Sequence, residues 1–261
     1  MRSLSIAATG MLAQQLNVEV ISNNIANMNT TGFKRMRAEF QDLLYQSQRR
    51  VGATSSDTGT VVPSGVQIGL GVKTGAVYMI AAQGNLQSTE NTLDVAISGN
   101  GFFQIEMPGG ETAYTRSGSF QLSPTGQVVT ADGYVVQPGI TVPPTATDIS
   151  INANGEVLAK LPGQTTPSNV GQLQLASFAN PAGLEARGDS LFLETAASGQ
   201  PSSGIPGQGG FGQIMQGFLE TSNVNTVTEI TNLITAQRAY EMNSKVIQTS
   251  DEMMSTLDQL R

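Results

Sequence analysis

The chain contains no histidine, no cysteine and no tryptophan. Without histidine it lacks the side chain best suited to proton transfer near neutral pH and the commonest metal ligand. Without cysteine it has no thiolate nucleophile, no thiolate zinc site and no disulfide, an absence compatible with an oxidising compartment. Ser, Lys, Asp and Glu remain, but the usual catalytic kit is gone, and neither a cofactor nor a metal is expected. Charge is scarce as well: 13% of residues are charged, against about 25% in ordinary soluble domains. Ser, Thr, Asn and Gln must therefore cover most of the surface. The net charge of -7 argues against a nucleic-acid partner, because neutralising phosphates takes clustered Lys and Arg. The basic cluster Lys34, Arg35, Arg37, Arg49 and Arg50 is interleaved with Glu39 and Asp42, and reads as a solvated or salt-bridged helix face. No run approaches the ~18 apolar residues of a membrane span. After Met1-Arg2 the apolar stretch is broken by Thr9, Gln14, Gln15 and Asn17, without the core of a secretory signal. The expectation is a chain that stays in the cytoplasm or leaves by a route without a cleaved leader.

What is present is divided by proline. The first is Pro63 and the last Pro206, and from Phe218 to Arg261 there is no glycine either. Both ends can be helical, while the middle, dense in Pro and Gly, reads as strands and turns. At the N-terminus Leu4, Ala7, Met11, Gln14, Val18, Ile21, Ile25 and Met28 alternate spacings of three and four, a heptad seam broken once by Gln14. Gly32 follows a polar run and is a natural stop in the left-handed conformation. A capping-box pattern, Thr226-Val227-Thr228-Glu229, opens the second helix. There Leu233, Tyr240, Ile247 and Met254 recur every seven residues, reinforced by Ile230, Ala236 and Leu257. Pairing the two helices with each other still exposes flanks such as Leu12, Leu16 and Val20, and seam burial alone falls short of the entropy of ordering the segments. The seams therefore predict association with other subunits.

Between the helices, turn signals such as Pro108-Gly109-Gly110, Ser123-Pro124-Thr125-Gly126 and Asn152-Ala153-Asn154-Gly155 separate short apolar runs. They predict about ten antiparallel strands, including Leu93–Ile97, Phe102–Ile105, Gln172–Phe178 and Leu191–Glu194. Ser198–Gly212 reads as a long loop. The fold class is α+β: a discontinuous, coiled-coil-like domain of terminal helices (1–45 and 219–261), a connecting segment (46–65) and a central antiparallel all-β domain (66–218). Segment 46–65 lacks helical or strand periodicity. A structureless stretch of about 20 residues is unusual unless it is disordered or works between molecules, and Arg49 and Arg50 are available there for a neighbour's acidic groups.

Two motifs suggest chemistry and fail on context. Gly207, Gly209 and Gly212 match the spacing of a dinucleotide loop, but Gln200–Pro206 before them cannot be a central strand. Asp57-Thr58-Gly59-Thr60 resembles the aspartic-protease tetrad, whose chemistry needs two carboxylates sharing a proton. No second Asp-Thr-Gly exists, so a hydrolase would need a symmetric dimer. Asn29-Thr30-Thr31, a formal glycosylation sequon, reads as the polar exit of the first helix.

Three separated stretches carry a resemblance. Ile21-Ser22-Asn23-Asn24-Ile25-Ala26-Asn27-Met28-Asn29-Thr30-Thr31-Gly32-Phe33-Lys34 closely resembles the signature shared by rod and hook proteins of the bacterial flagellum. Glu220–Asn225 with Ala236–Lys245 is similar to that family's other end, and Leu93–Phe103 to the start of its β domain. Length and the continuations Gly32–Tyr45 and Val66–Val72 resemble the distal-rod branch; a proximal rod or hook subunit is the alternative. The resemblance implies a homo-oligomeric helical tube, terminal helices inside and β domains outside, that crosses the periplasm in the basal body and transmits torque from motor to hook. It implies as partners proximal rod proteins, hook or hook-junction proteins, P-ring and L-ring proteins and the flagellar type III export apparatus, with no small-molecule substrate. The seam residues Leu4, Met11, Val18, Ile21, Ile25, Met28, Ile230, Leu233, Tyr240, Ile247, Met254 and Leu257, with Arg49 and Arg50, are the expected subunit interface. Two other classes, a hydrolase built on Asp57 and a coiled-coil adhesin, require a second carboxylate and a leader or anchor respectively.

Overall fold

The computed structural model describes residues 2–50, 52, 64–164 and 166–259. They form two compact units. The first comprises residues 1–25, 36–78 and 226–261 and the second residues 26–35 and 79–225. The expectation at Asp57 lies outside the described residues.

The first unit holds α1 (Arg2–Ala26) and α2 (Thr226–Gln259) with four strands, β1 (Met36–Asp42), β2 (Tyr45–Arg49), β3 (Val66–Gly69) and β4 (Val72–Met79). The strands correct the division read from sequence. Residues 36–42 fall in the segment expected to be helical, yet Met36, Ala38 and Phe40 are half-buried while Arg37, Glu39 and Gln41 face water. That is the period of two of a half-covered strand. β1 pairs with β4, and β2 with β3 in the antiparallel register Tyr45↔Gly69, Gln46↔Ile68 and Ser47↔Gln67. Leu43 N–H to Gly71 O and Leu70 N–H to Leu44 O carry the ladder across the junction. The result is one long two-stranded ribbon. Residues 46–49 are thus strand, not structureless linker, and β3 and β4 belong with the helices, not with the β domain expected from residue 66.

The second unit is the β domain. Its strands are β5 (Leu86–Ser88), β6 (Val95–Ser98), β7 (Phe102–Glu106), β8 (Thr112–Thr115), β9 (Gln121–Leu122), β10 (Val128–Val129), β11 (Val135–Val136) and β12 (Asp148–Ile151). They continue as β13 (Glu156–Lys160), β14 (Ser168–Gln172), β15 (Leu175–Ser177), β16 (Glu185–Gly188), β17 (Leu191–Leu193), β18 (Ser202–Gly204), β19 (Gln213–Gln216) and β20 (Phe218–Glu220). The main sheet runs β16-β17-β8-β7-β11-β10-β9, with β15 also on β7 and β18 on β15. A second sheet is β12-β13-β14, and β19 pairs with β6 and β20 with β5. Val95, Ile97, Phe103, Ile105, Leu173 and Leu175 are among the most deeply buried core residues, with Phe103 and Phe120 edge to face at 5.1 Å. β6 is buried on both faces. β18 corrects the loop expected over 198–212. Ser202-Ser203-Gly204 has no apolar pattern and is held by its pairing with Leu175–Ser177. Gly212 leads into β19, a strand, where a dinucleotide loop would open a helix.

Candidate assembly interface and a buried charge cluster

In the first unit α1 and α2 run antiparallel in one register. Ser250 Oγ lies 3.4 Å from Ser3 Oγ, and Asn24 Nδ2 donates to Glu229 Oε2 at 3.2 Å. A Cβ added to Gly10 would sit 2.8 Å from Asn243 Nδ2. Each step of seven along α1 matches a step of seven back along α2, as knobs-into-holes packing requires, and this places Asn17 opposite the buried Ala236. The face the two helices share is small and polar. Asn24 also reads the backbone of Met36 on both sides, accepting from its N–H at 2.9 Å and donating to its carbonyl at 2.8 Å.

The large apolar residues point elsewhere. Leu12 is 66% exposed, Val227 76%, Met242 60% and Met253 59%, with Ile234 and Val246 also open to water. Of the residues expected at the seam, Ile21 is buried, and Leu4, Met11, Val18, Ile25, Leu233, Ile247 and Met254 are half-buried. Ile230 and Tyr240 are exposed. Met28 is exposed and lies beyond the end of α1, in a turn closed by Thr30 N–H to Asn27 O, so it is not a seam position. Leu257 lies outside the described side chains. Arg49 and Arg50 are exposed, Arg49 on β2. The structure brings together the column beside the predicted one. Ordinary hydropathy could not find it, because Ser3, Gly10, Asn243 and Ser250 carry no apolar signal.

Sequence reasoning also missed a site in the second unit. Glu220, at the end of β20, is fully buried with Lys34 and Arg116, which are 2% and 4% exposed. Lys34 Nζ donates to Glu220 Oε1 at 2.5 Å and to Ala82 O at 2.9 Å, and Gly84 N–H donates to the same Oε1 at 2.8 Å. Arg116 Nε stands 2.9 Å from Oε2 without an aligned hydrogen bond, so that contact is ionic. Its terminal nitrogens donate to Gly101 O at 2.6 Å and Gly99 O at 2.8 Å. Burial lowers the pKa of Lys34 below the usual lysine range, opposed by Glu220 and reinforced by the Arg116 cation. Burial likewise lowers that of Arg116, with Glu220 opposing. Gly32 N–H donates to Glu220 O at 2.8 Å, and Asn223 accepts from Arg35 N–H while donating to Ile80 O. Gly32 is left-handed (φ 69°), and a Cβ there would lie 2.5 Å from Ser117 N, so only glycine fits. Segments around residues 32, 84, 116 and 220 thus converge on one carboxylate. The helix-face reading of Lys34 and Arg37 is corrected: the first is buried and the second sits on a strand. The available signal was Glu220, an isolated charge inside an otherwise neutral stretch; Lys34 is hidden by the adjacent Arg35 and Arg37.

Among the described residues no group of acidic side chains is placed to hold a metal. No described helix is long and apolar enough to cross a membrane. Comparison with known proteins gives one answer along the whole chain. Residues 4–34 match the flagella basal body rod protein family, residues 96–159 the flagellar hook protein FlgE/F/G D1 domain, and residues 215–260 the flagellar basal body rod FlgEFG protein C-terminal family. The flagellar basal-body rod protein FlgG of Caulobacter vibrioides is 61% identical over all of both chains. The FlgG of Agrobacterium fabrum is 56% identical over 98% of this chain and 97% of its own, and that of Bacillus subtilis 41% over 100% and 99%. The three matched regions contain Lys34 at the end of the first and Glu220 near the start of the last. This chain belongs to the family of flagellar basal-body rod proteins.

Proposed function

We propose that the chain is the structural subunit of the distal rod of the bacterial flagellum, self-assembling into a hollow helical shaft that crosses the periplasm and transmits torque from motor to hook. The observation that carries this reading is the exposure of Leu12, Val227, Met242 and Met253 on helices whose mutual contact is small and polar. A helix apolar beyond its intrachain contact face needs further neighbours. Helical units of adjacent copies supply them, with Leu4, Met11, Val18, Ile25, Ile230, Leu233, Tyr240, Ile247 and Met254 taking part. Twisting such a shaft loads many packed contacts at once, and close-packed contacts yield little.

The ribbon of β1–β4 is a second contact. A two-stranded sheet is marginal by itself in water, and this one exposes Leu44, Tyr45, Val66 and Val77. Laid on a neighbouring subunit, it resists the sliding that bending requires, with Arg49 and Arg50 reaching acidic groups. The role is structural and no residue is assigned to catalysis. Proximal rod and hook-side proteins at the two ends, the P- and L-ring proteins around the shaft and the type III export apparatus are its proposed partners. Electron microscopy of the purified chain tests the reading. Hollow tubes are expected from the wild type, and none from Met242→Asp. Dispersed monomers from the wild type under all assembly conditions would overturn it.

A further inference from the structure

The charge cluster of the second unit is not balanced. Lys34 and Arg116 bring two positive charges, and among the described residues Glu220 is the one carboxylate in ion-pair contact with them. Their other partners, the carbonyls of Ala82, Gly99 and Gly101, satisfy N–H groups without supplying charge. Buried charges are ordinarily paired, because desolvation without a counter-ion is costly.

Arg116 also lines a pocket of about 150 Å³, with Gly99, Gly101, Phe102, Ser177 and Phe178 among its walls. A guanidinium has five N–H donors. The Nε–H lies on the Glu220 side in an ionic contact, and one N–H of each terminal nitrogen donates to Gly101 or Gly99, which leaves one donor on each terminal nitrogen. The carbonyl partners of those nitrogens belong to residues that are themselves pocket walls, so the planar fork stands at the pocket. Phe102 and Phe178, edge to face at 6.0 Å, give it an apolar side. A positive fork beside an apolar sleeve suits a carboxylate carried on a short methylene stem, which a guanidinium receives through two parallel bonds.

We infer that this pocket binds a carboxylate, and that the carboxylate is an Asp or Glu side chain of a second copy of this chain. Size and charge point to that occupant. The space admits one acidic side chain and excludes a nucleotide or a folded segment. Each copy carries 20 acidic residues against 13 basic ones, so its surface has carboxylates to spare. The source, though not the ligand chemistry, rests on the self-assembly reading above.

The test has two arms on the full-length chain. In the first, the monomer is titrated with sodium acetate, with sodium chloride at matched ionic strength as control, and followed by NMR at the Arg116 Nε–H and the amides of Ser177 and Phe178. Acetate is expected to shift all three saturably and chloride not. Ser177→Leu, which fills the pocket without replacing Lys34, Arg116 or Glu220, is expected to weaken acetate binding by about tenfold or more while keeping the wild-type melting temperature. No saturable shift, or an equal one with chloride, would overturn the carboxylate assignment. In the second arm Ser177→Leu is expected to form fewer and shorter tubes than the wild type. Tubes of normal number and length would overturn the second copy as the source, leaving a site for small free carboxylates. Failure of the wild type itself to form tubes would sink the self-assembly reading and that source with it, while the acetate titration still decides the pocket's chemistry.

Discussion

Replacing Glu220 by Gln keeps the shape of the side chain and removes the single negative charge between Lys34 and Arg116. Two cations then remain in a site where Glu220 is fully buried and neither cation exceeds 4% exposure. Removing one partner of a buried pair costs about 3–5 kcal/mol, because the other charge is left uncompensated. Whole domains are stable by only about 5–15 kcal/mol, so this loss is a large share of the second unit's stability. With a urea slope of about 2 kcal/mol per molar, the midpoint should fall by roughly 2 M. The unfolding is read by far-UV circular dichroism and by amide exchange at Phe103 and Ile105. The control is Glu111→Gln, which breaks the ion pair to Arg187 at 2.9 Å. Both partners there are about half exposed, and solvent screening holds the cost to under about 1 kcal/mol. Equal midpoints for Glu220→Gln and Glu111→Gln would refute the reasoning that the cluster clasps this unit together.

Because Lys34 has its pKa lowered by burial, between its folded value and the unfolded 10.5 the unfolded chain holds a proton that the folded chain has lost. Stability therefore rises with pH in that window and is lost as pH falls through the folded pKa; urea titrations of wild type against Lys34→Met isolate the effect. Tyr114, whose pKa is raised by burial and by Glu194, works with the opposite sign above pH 10, destabilising the unit equally in both proteins. Gly10→Leu drives a side chain into Asn243 and should break the α1–α2 contact that assembly fixes, seen as tubes that are absent or that lack the wild-type tubes' amide protection at Ala13 and Ala236, whereas Gly10→Ala should be close to neutral because the end of a flexible amide can move. Deleting residues 47–63 should leave tubes that assemble but curve, and straight tubes in micrographs would reduce the ribbon and its connection to a linker.

The two terminal helices were legible from periodicity and the lack of proline, and so was the left-handed conformation of Gly32; α1 nevertheless ends earlier, at Ala26, and strands lie outside the proline-bounded middle, β1 and β2 before it and β19 and β20 after it. β1 was legible in principle, since Met36-Arg37-Ala38-Glu39-Phe40 alternates, but its charges suited a helix face equally well and only the pairing with β4 decides. β18 was not legible, because Ser202-Ser203-Gly204 becomes a strand through a partner some 27 residues earlier. Heptad spacing announced that one side of each helix is covered, but not which covering is intrachain. Small polar residues set the α1–α2 contact by close approach, and close approach leaves no trace in hydropathy. The cluster of Lys34, Arg116 and Glu220 was out of reach for a different reason: its members are 82 to 186 residues apart, and each alone reads as a surface charge. The same contacts redraw the independent folding unit. A fragment of residues 66–217 lacks both Lys34 and Glu220, so Arg116 would be buried unpaired within it.

The central claim is that the apolar sides of α1 and α2 are covered by other copies of the chain. Amide hydrogen exchange, compared between monomer and assembled tubes, tests it most directly. In the monomer, residues 2–26 and 226–259 should exchange rapidly, since the shared face is small and polar and isolated helices are marginal in water. In tubes, protection should rise sharply along both helices, including the segments around Leu12, Val227, Met242 and Met253. Helices fully protected in the monomer, with no further protection on assembly, would contradict the account.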